Sequence, residues 1–348
     1  MTLDELLQKA IESGASDLHL YAGYPPTVRV AGQLQPADPG LPPLTDAETE
    51  ELIAELVGRE ALSAWREDPM PMINLTHHGP GGSLFRTTIH RFVGRPGAAL
   101  RCLPSKVPTL AEIGLPSVLE RVVDAPHGVV IVTGPMGSGK TTTLYSLVEA
   151  INTKHAVHIV TLSDPLDYVL QPKRGLVRQI EIGTDVRSFP EAARAVLRED
   201  PDVIVVGEMR DLETVSLTLT LAETGHLVFT QMHCRTAAEA CSRIVDVFPP
   251  TQQEMTARML AANLCCVISQ RLFLRADRPG RTAAYEIMFA TDEVRGLVEA
   301  RRFAELPGAI EASRGAGMQT MQQHVEELVA QGVVKRESAE CILGGEPA

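Results

Sequence analysis

The sequence of 348 residues is poor in aromatic side chains, at 4%, and contains one tryptophan. Proteins that bind single-stranded nucleic acid usually stack its bases on aromatic rings, so this scarcity argues against that ligand. The formal net charge of −12 also opposes broad contact with a phosphate backbone. We therefore expect no nucleic-acid partner.

Long apolar runs, a secretion signal and paired cysteines are also missing. No run of about 18 apolar residues occurs, and the acidic N-terminus has no basic segment followed by an apolar stretch. The six cysteines form no CxxC pair, which argues against a zinc ribbon and a disulfide framework. We expect a cytoplasmic protein with free thiols and no direct membrane insertion.

Two segments of different character divide the chain. Residues 1–103 combine an amphipathic helical stripe with short alternating runs, which predicts a small α+β domain. Residues 104–116 contain three prolines and are interpreted as a linker. Residues 117–348 alternate β-branched apolar runs with helical stretches, typical of an α/β nucleotide-binding core with a parallel sheet. From about Glu254 the pattern turns mainly helical.

The stretch "GPMGSGKT" at 134–141 matches G-x-x-x-x-G-K-[ST] without exception, between a β-branched run and a helical stretch. Its glycines allow backbone N–H groups to close around phosphates at a helix N-terminus. Lys140 is expected to reach the β- and γ-phosphates, and the Thr141 hydroxyl to ligate Mg²⁺. The predicted nucleotide contacts in this loop are Gly134, Pro135, Met136, Gly137, Ser138, Gly139, Lys140, Thr141 and Thr142.

A carboxylate follows the buried run Val203–Val206, at Glu208. A carboxylate at a strand tip can orient and polarise an attacking water, so Glu208 is the predicted catalytic residue and a weaker candidate for the Mg²⁺ shell. His226 and His233 bracket the next apolar run, and His233 is a candidate sensor of the γ-phosphate. No NKxD motif for reading guanine is present, which argues against a GTPase switch.

These motifs together resemble the secretion ATPase superfamily of type II secretion and type IV pili, most closely its pilus-retraction (PilT-like) branch. The similarity covers nearly the whole chain, including "GASDLHLYAGYPPTVRVAGQL", "LREDPDVIVVGEMRDLETVSLTLTLAETGHLVF", "RIVDVFPP" and "GMQTM". The resemblance implies a PAS-like N-terminal domain linked flexibly to a RecA-like ATPase domain. It also implies a hexameric ring, with or without a paralogous ATPase, docked on an inner-membrane pilus platform protein.

The resemblance assigns roles to particular residues. Lys140 and Thr141 form the Walker A pair, Glu208 is the Walker B glutamate, and His226 and His233 form the histidine box. Two further positions, Arg86 and Arg101, fall at family arginines that donate charge to the phosphates, whereas Arg91 and Arg95 do not align.

Three departures from the family pattern stand out. The acidic box, usually T-[IV]-E-D-P-[IV]-E, is here "TLSDPLD", so Ser163 replaces the first glutamate while Asp164 and Asp167 remain. Asp164 is a predicted catalytic residue, and the serine predicts slower hydrolysis because it cannot act as a general base. The C-terminal motif keeps little beyond Arg295, and Leu84 and Thr88 replace the arginine and asparagine of "RFRVN". We interpret the chain as a divergent or accessory retraction ATPase, similar to a PilU-type paralogue.

Several alternatives stay open at this point. A catalytically slow ring subunit or regulator is kept open by Ser163. A pilus assembly or type II secretion ATPase would usually have a longer N-terminal region and a tetracysteine motif. The negative net charge of the chain argues against a nucleic-acid translocase. ATP rather than GTP follows from the resemblance alone. Three arginines of the core, Arg198, Arg210 and Arg243, are candidates for ring contacts.

Overall fold

The computed structural model describes residues 1–30, 32–68, 72–104 and 106–343. Its contacts divide the chain into a first unit, Met1–Lys106 with Pro165–Val169, and a second unit, Val107–Asp164 with Leu170–Ala348. The division falls inside the predicted linker, whose Ser105 lies outside the described residues, as do residues 344–348. The five residues 165–169 belong to the first unit because Leu166 packs against Leu84 and Leu103. The sequence pattern had not indicated that assignment.

The first unit is an antiparallel sheet with helices. In chain order its elements are α1 (Leu3–Glu12), β1 (Asp17–Tyr21), β2 (Thr27–Val30), β3 (Gln33–Pro36), α2 (Asp46–Val57), α3 (Arg59–Glu67), β4 (Met72–His78), β5 (Leu84–Phe92) and β6 (Arg95–Cys102). The strand order is β3-β2-β1-β6-β5-β4. Each pair runs antiparallel, with Leu18 opposite Leu100 and Ile89 opposite Ala98.

Alternation along the strands puts one face of this sheet into the core. Leu18 and Leu20 are fully buried, and they share a hydrophobic cluster with Leu7 of α1 and Ile53 of α2. Helix α2 begins at a capping box, in which the Thr45 side chain and Glu48 accept each other's backbone N–H. That reciprocal pair satisfies donors that a helix N-terminus otherwise leaves free.

The second unit is an α/β layer structure. Its elements are α4 (Glu120–Val123), β7 (Gly128–Thr133), α5 (Lys140–Lys154), β8 (His158–Ser163), β9 (Leu176–Glu181), α6 (Phe189–Val196), β10 (Val203–Glu208), α7 (Leu212–Glu223), β11 (Leu227–Met232), α8 (Ala237–Asp246), α9 (Pro250–Asn263), β12 (Leu264–Leu274), β13 (Arg281–Phe289), α10 (Asp292–Glu299), α11 (Leu306–Ala312), α12 (Met321–Ala330) and α13 (Glu340–Leu343).

The sheet of the second unit has the order β13-β12-β7-β11-β10-β8-β9. Strands β12 to β9 in this order pair in parallel, and β13 is an antiparallel edge strand. The predicted α/β class is therefore confirmed. The expectation of a mainly helical region after Glu254 is wrong in part, because β12 and β13 lie there. Strand β12 extends the sheet beside β7, and its apolar run is compatible with a helix or a strand until that pairing is known.

In the ranges that the structure describes, no helix is both long and apolar enough to pass through a lipid bilayer. The described thiols of Cys102, Cys234, Cys241, Cys265 and Cys266 are free.

Truncating Ile53 tests the core of the first unit. Ile53 is fully buried, so Ile53→Ala leaves a cavity, and we expect the free energy of unfolding to fall by about 2–5 kcal/mol. Leu34→Ala is the control because Leu34 is 55% exposed. Its effect should stay within about 0.5 kcal/mol. Chemical denaturation of both variants measures the difference, and equal losses would contradict this assignment of the core.

Candidate functional site

Three glycines of the loop between β7 and α5, Gly134, Gly137 and Gly139, have positive φ, and Gly134 and Gly139 also lie against β12. Gly134 has φ 146° and Gly139 has φ 87°. A Cβ on Gly134 would lie 2.3 Å from the carbonyl oxygen of Gln270, and one on Gly139 would lie 2.9 Å from Gln270 Nε2. The motif glycines are therefore needed because β12 runs directly against the loop.

Polar groups of this loop fit an anion. The Ser138 hydroxyl is buried, and no group among the described residues hydrogen-bonds to it. Gly139 is the N-cap of α5 and has no side chain to satisfy the first N–H groups of that helix. A buried hydroxyl and the N–H groups of a helix N-terminus suit phosphate oxygens.

The side chain of Lys140 folds back onto the loop. Its Nζ donates to the carbonyl oxygens of Gly134 and Pro135, at 3.0 Å each, and lies 3.1 Å from His233 Nδ1. Burial lowers the pKa of Lys140, and the Glu208 carboxylate partly opposes this shift. A desolvated ammonium beside the loop gains from a phosphate partner more than an exposed one would.

The predicted catalytic carboxylate contacts two cationic or polar partners. Glu208 Oε1 lies 3.1 Å from His233 Nε2, and Glu208 Oε2 lies 2.9 Å from Arg210 Nε. A neutral His233 with the proton on Nε2 donates to Glu208 and accepts from Lys140 through Nδ1. The structure thus brings three predicted residues, Lys140, Glu208 and His233, into one chain of contacts that ends at Arg210.

Two glutamines of the site were missed from the sequence. Gln231, near the end of β11, accepts a hydrogen bond from the Thr141 hydroxyl at 3.1 Å. Gln270 donates to the Ser138 carbonyl and accepts from Thr143 Oγ1, both at 2.6 Å. The rule that located Glu208 at a strand end would also have identified Gln231. Gln270 lies within β12, in a region that the sequence pattern had predicted to be mainly helical.

His226 is not brought to the phosphate loop. It precedes β11, so six residues separate it from the edge where His233 lies, about 20 Å at 3.3 Å per residue. Its Nδ1 contacts the carbonyl of Leu221 at 2.9 Å and the hydroxyl of Thr224 at 3.0 Å. Within this chain His226 therefore stabilises the turn between α7 and β11, and its contact with a nucleotide stays a prediction.

Both predicted phosphate arginines have partners inside the first unit. Arg86 donates to Asp167 Oδ1 at 2.6 Å and to the Leu166 carbonyl at 2.9 Å. Arg101 donates to Asp17 at 3.0 Å. Their contact with phosphate stays a prediction.

The acidic-box serine is a packed residue. Ser163 is 3% exposed, and its hydroxyl lies 3.2 Å from the hydroxyl of Tyr145 in α5. Its neighbour across β8 and β9 is Glu181, also 3% exposed. Asp164 directly follows β8 and is exposed. Ser163 therefore joins β8 to the helix that carries the phosphate loop.

Of the arginines considered for ring contacts or the C-terminal motif, Arg210, Arg243 and Arg295 make side-chain contacts within the second unit. Arg210 pairs with Glu208, and Arg243 donates to the His233 carbonyl at 3.3 Å. Arg295 donates to the carbonyls of Ala262 and Leu264 at the end of α9, at 2.8 Å each. These two hydrogen bonds give Arg295 a structural role at the end of α9, although the rest of the motif differs from the family pattern.

The phosphate loop, the parallel sheet and the strand-end glutamate define a P-loop nucleotide-binding α/β protein. The family model described as Type II/IV secretion system protein matches residues 110–341. The chain is 42% identical to the type IV pilus retraction ATPase PilT of Pseudomonas aeruginosa over 339 residues, covering 97% of both chains. It is 32% identical to the type IV pilus ATPase PilU of the same organism, covering 97% of this chain and 88% of PilU.

A solved structure gives the same relationship. The crystal structure of the pilus retraction motor PilT with bound ADP superimposes with a TM-score of 0.90 at 36% identity, covering 100% of this chain and 98% of that one. The chain belongs to the type II/IV secretion system protein family, and the predicted membership of the secretion ATPase superfamily is confirmed.

Replacing Ser163 tests its packing role. Ser163→Glu would add a second carboxylate beside buried Glu181, and burying an unpaired charge costs more than about 2 kcal/mol. We expect a lower unfolding temperature than for Ser163→Ala, which removes only the hydroxyl. A Ser163→Glu variant as stable as wild type would contradict the packing assignment.

Arg210 tests how the carboxylate is held. The Arg210 side chain is 62% exposed, so water screens its pairing with Glu208 and the contact is worth about 0.2–1 kcal/mol. We expect Arg210→Ala to lower kcat by about two- to fivefold with ADP affinity unchanged. Arg210→Lys should restore part of the rate. Steady-state turnover and equilibrium binding separate the two effects, and an unchanged kcat would contradict a positioning role.

Proposed function

We propose that this chain hydrolyses ATP and, as a subunit of a hexameric ring, powers the retraction of type IV pili. The single observation that carries the proposal is the chain of contacts from Lys140 through His233 to Glu208. The protein that contains these contacts is similar to PilT over nearly its whole length. The higher identity to PilT than to PilU favours the retraction motor over a PilU-type accessory.

The residues divide the work of phosphoryl transfer. Lys140 leaves the loop carbonyls to hold the β- and γ-phosphates, while N–H groups at the start of α5 hold the remaining oxygens. Glu208 accepts a hydrogen bond from the attacking water and aligns it with the γ-phosphate. His233 contacts both Lys140 and Glu208, so it is placed to link phosphate binding to the position of the carboxylate.

Oxygen donors at the start of α5 fit Mg²⁺. In the described ranges, no three His, Cys, Asp or Glu side chains group closely enough to hold a metal by themselves. Mg²⁺ commonly takes one or two protein oxygens and completes its shell with water and substrate phosphates. The Thr141 hydroxyl would hold it, with Glu208 nearby. Bound there, Mg²⁺ would neutralise charge on the phosphates.

A ring follows from the chemistry of phosphoryl transfer. Charge develops on the phosphate oxygens in the transition state, and cations from a neighbouring copy can stabilise it. Head-to-tail contacts between identical chains close into a ring when the rotation permits. We propose that this ring docks on a platform protein at the inner face of the cytoplasmic membrane.

The alternative is a ring subunit that binds nucleotide with little turnover. Replacement of an acidic-box glutamate by Ser163 is the observation that favours it. Since Asp164 and Glu208 remain at the same edge of the sheet, the motor is the better supported of the two.

Steady-state ATPase turnover with Mg²⁺ separates these functions. Glu208→Gln keeps the shape of the side chain but removes the charge that polarises water, so we expect kcat to fall by about 10²–10⁴ with ATP still bound. Glu213→Gln is the control because Glu213 is an exposed residue in the first turn of α7.

Either of two results would contradict the motor. Wild-type turnover equal to that of Glu208→Gln, with tight ATP binding, would leave the nucleotide-binding subunit. Cells that lack this chain but still retract their pili would separate the ATPase from the retraction role.

A further inference from the structure

A row of buried polar side chains crosses the sheet of the second unit, one residue before the phosphate loop. Ser269 of β12 pairs with Thr133 of β7 on one side and with Glu286 of β13 on the other. Residues paired across neighbouring strands project from the same face of a sheet, so the three side chains lie side by side. Thr133 and Ser269 are fully buried, and Glu286 is 7% exposed. Polar groups in such a position require hydrogen-bond partners.

The row binds the backbone of the segment that follows His233, after the end of β11. Three hydrogen bonds make the connection: from the Cys234 N–H to the Thr133 hydroxyl at 2.9 Å, from the Ser269 hydroxyl to the Arg235 carbonyl at 2.7 Å, and from the Ala237 N–H to Glu286 Oε1 at 2.7 Å. An extended chain covers about 10 Å from residue 234 to residue 237, which matches two strand spacings of about 4.8 Å. The segment therefore runs across β7, β12 and β13 with one of these bonds to each strand.

Glu286 joins this segment to a second helix. Its carboxylate also accepts the backbone N–H of Met321, so it contacts the first residues of both α8 and α12. Burial raises the pKa of Glu286, and the two N–H groups oppose that shift. A carboxylate can accept both bonds, whereas an amide of the same shape presents its NH₂ group to one of the two donors.

The "GMQTM" stretch at 317–321 holds the second donor in place. Gln319 and Ile287 exchange two backbone hydrogen bonds, at 2.9 and 3.2 Å. The Gln319 side chain also donates to the Tyr285 carbonyl at 2.9 Å. Tyr285 and Ile287 flank Glu286 in β13, so the stretch is fixed on both sides of the carboxylate and completes its surroundings.

The position of His233 depends on these contacts. Its neighbour Cys234 is bound at both backbone groups, because the Thr133 hydroxyl also donates to the Cys234 carbonyl at 2.9 Å. The imidazole of His233 contacts Lys140 and Glu208. A shift of the segment would change both distances, and a displacement of about 1 Å can lower a rate by about 10²-fold.

We propose that Glu286 is a positioning residue for ATP hydrolysis, and that it acts by fixing the segment that carries His233. Glu286 holds the backbone of this segment, and the His233 imidazole transmits that position to Lys140 and Glu208. The role depends on the proposed function, since it concerns the rate of ATP hydrolysis. It adds a buried carboxylate on the edge strand β13 to the groups that control this rate.

Turnover of Glu286→Gln measures the effect, and ADP affinity separates it from damage to the phosphate loop. We expect kcat to fall by about tenfold and the Kd for ADP to change by less than about twofold. The same substitution should have no further effect on kcat in His233→Ala, because the imidazole through which it acts is gone. Glu293→Gln, at an exposed residue in the first turn of α10, is the control and should leave both quantities unchanged.

Ser269→Ala provides a second variant, which keeps the test decisive if Glu286→Gln fails to fold. It removes one hydroxyl of the row and no charge. We expect kcat to fall by about threefold in the otherwise wild-type protein and to stay unchanged in His233→Ala.

Chemical modification reports on His233 without any turnover. Diethyl pyrocarbonate acylates accessible imidazoles, and mass spectrometry gives the rate at each histidine. The side chains of His233 and His155 are 38% and 36% exposed, and His155 lies before β8, at the opposite edge of the sheet. We expect Glu286→Gln and Ser269→Ala to raise the rate at His233 by about fivefold, the equivalent of one weakened hydrogen bond, and to leave His155 unchanged.

Two results would overturn the proposal. The same loss of kcat in the wild-type and His233→Ala backgrounds would mean that the row only stabilises the fold. An unchanged modification rate at His233 in the folded variants would mean that the row does not hold this residue. A wild-type protein without turnover, in which the variants still raise the modification rate at His233, would contradict the proposed function and leave the positioning of His233 supported.

Discussion

The close approach of β12 to the phosphate loop is the contact on which the rest of the site depends. The Gln270 carbonyl leaves no room for a side chain at Gly134, and the Gln270 side chain ties the Ser138 carbonyl to Thr143 of α5. The end of the loop next to α5 is thereby held against both β12 and that helix. Preorganised N–H groups can then meet phosphate oxygens without paying again for loop ordering.

The parallel sheet gathers the reacting groups at one edge. Strands β7, β11 and β10 are adjacent, so the phosphate loop, His233 and Glu208 emerge side by side at their carboxyl ends. Ligands of open parallel sheets bind outside this edge for the same reason. His226, at the opposite end of β11, is excluded from that edge by strand direction alone.

Electrostatics then connects these groups. The buried Lys140 ammonium lies near the negative charge of Glu208, and His233 contacts both. A change in one partner alters the hydrogen bonds available to the next, so phosphate binding at Lys140 and the position of Glu208 are physically coupled. Ser163 takes no part in this series of contacts, because its hydroxyl hydrogen-bonds with the Tyr145 hydroxyl inside the second unit.

Local patterns were enough to predict the phosphate loop, the α/β class and Glu208, because each depends on consecutive residues whose spacing has a direct geometric meaning. The α/β class is confirmed, and the structure brings Lys140, Glu208 and His233 together. The contacts that these residues make could not be predicted from local patterns. Examples are the pairing of Arg210 with Glu208, the hydrogen bond from Gln270 to the phosphate loop and the contact of Tyr145 with Ser163. Side-chain contacts depend on how strands and helices pack, and the apolar run of β12 became a strand only by pairing with β7. Tertiary packing decided those contacts because they join residues with no common local pattern.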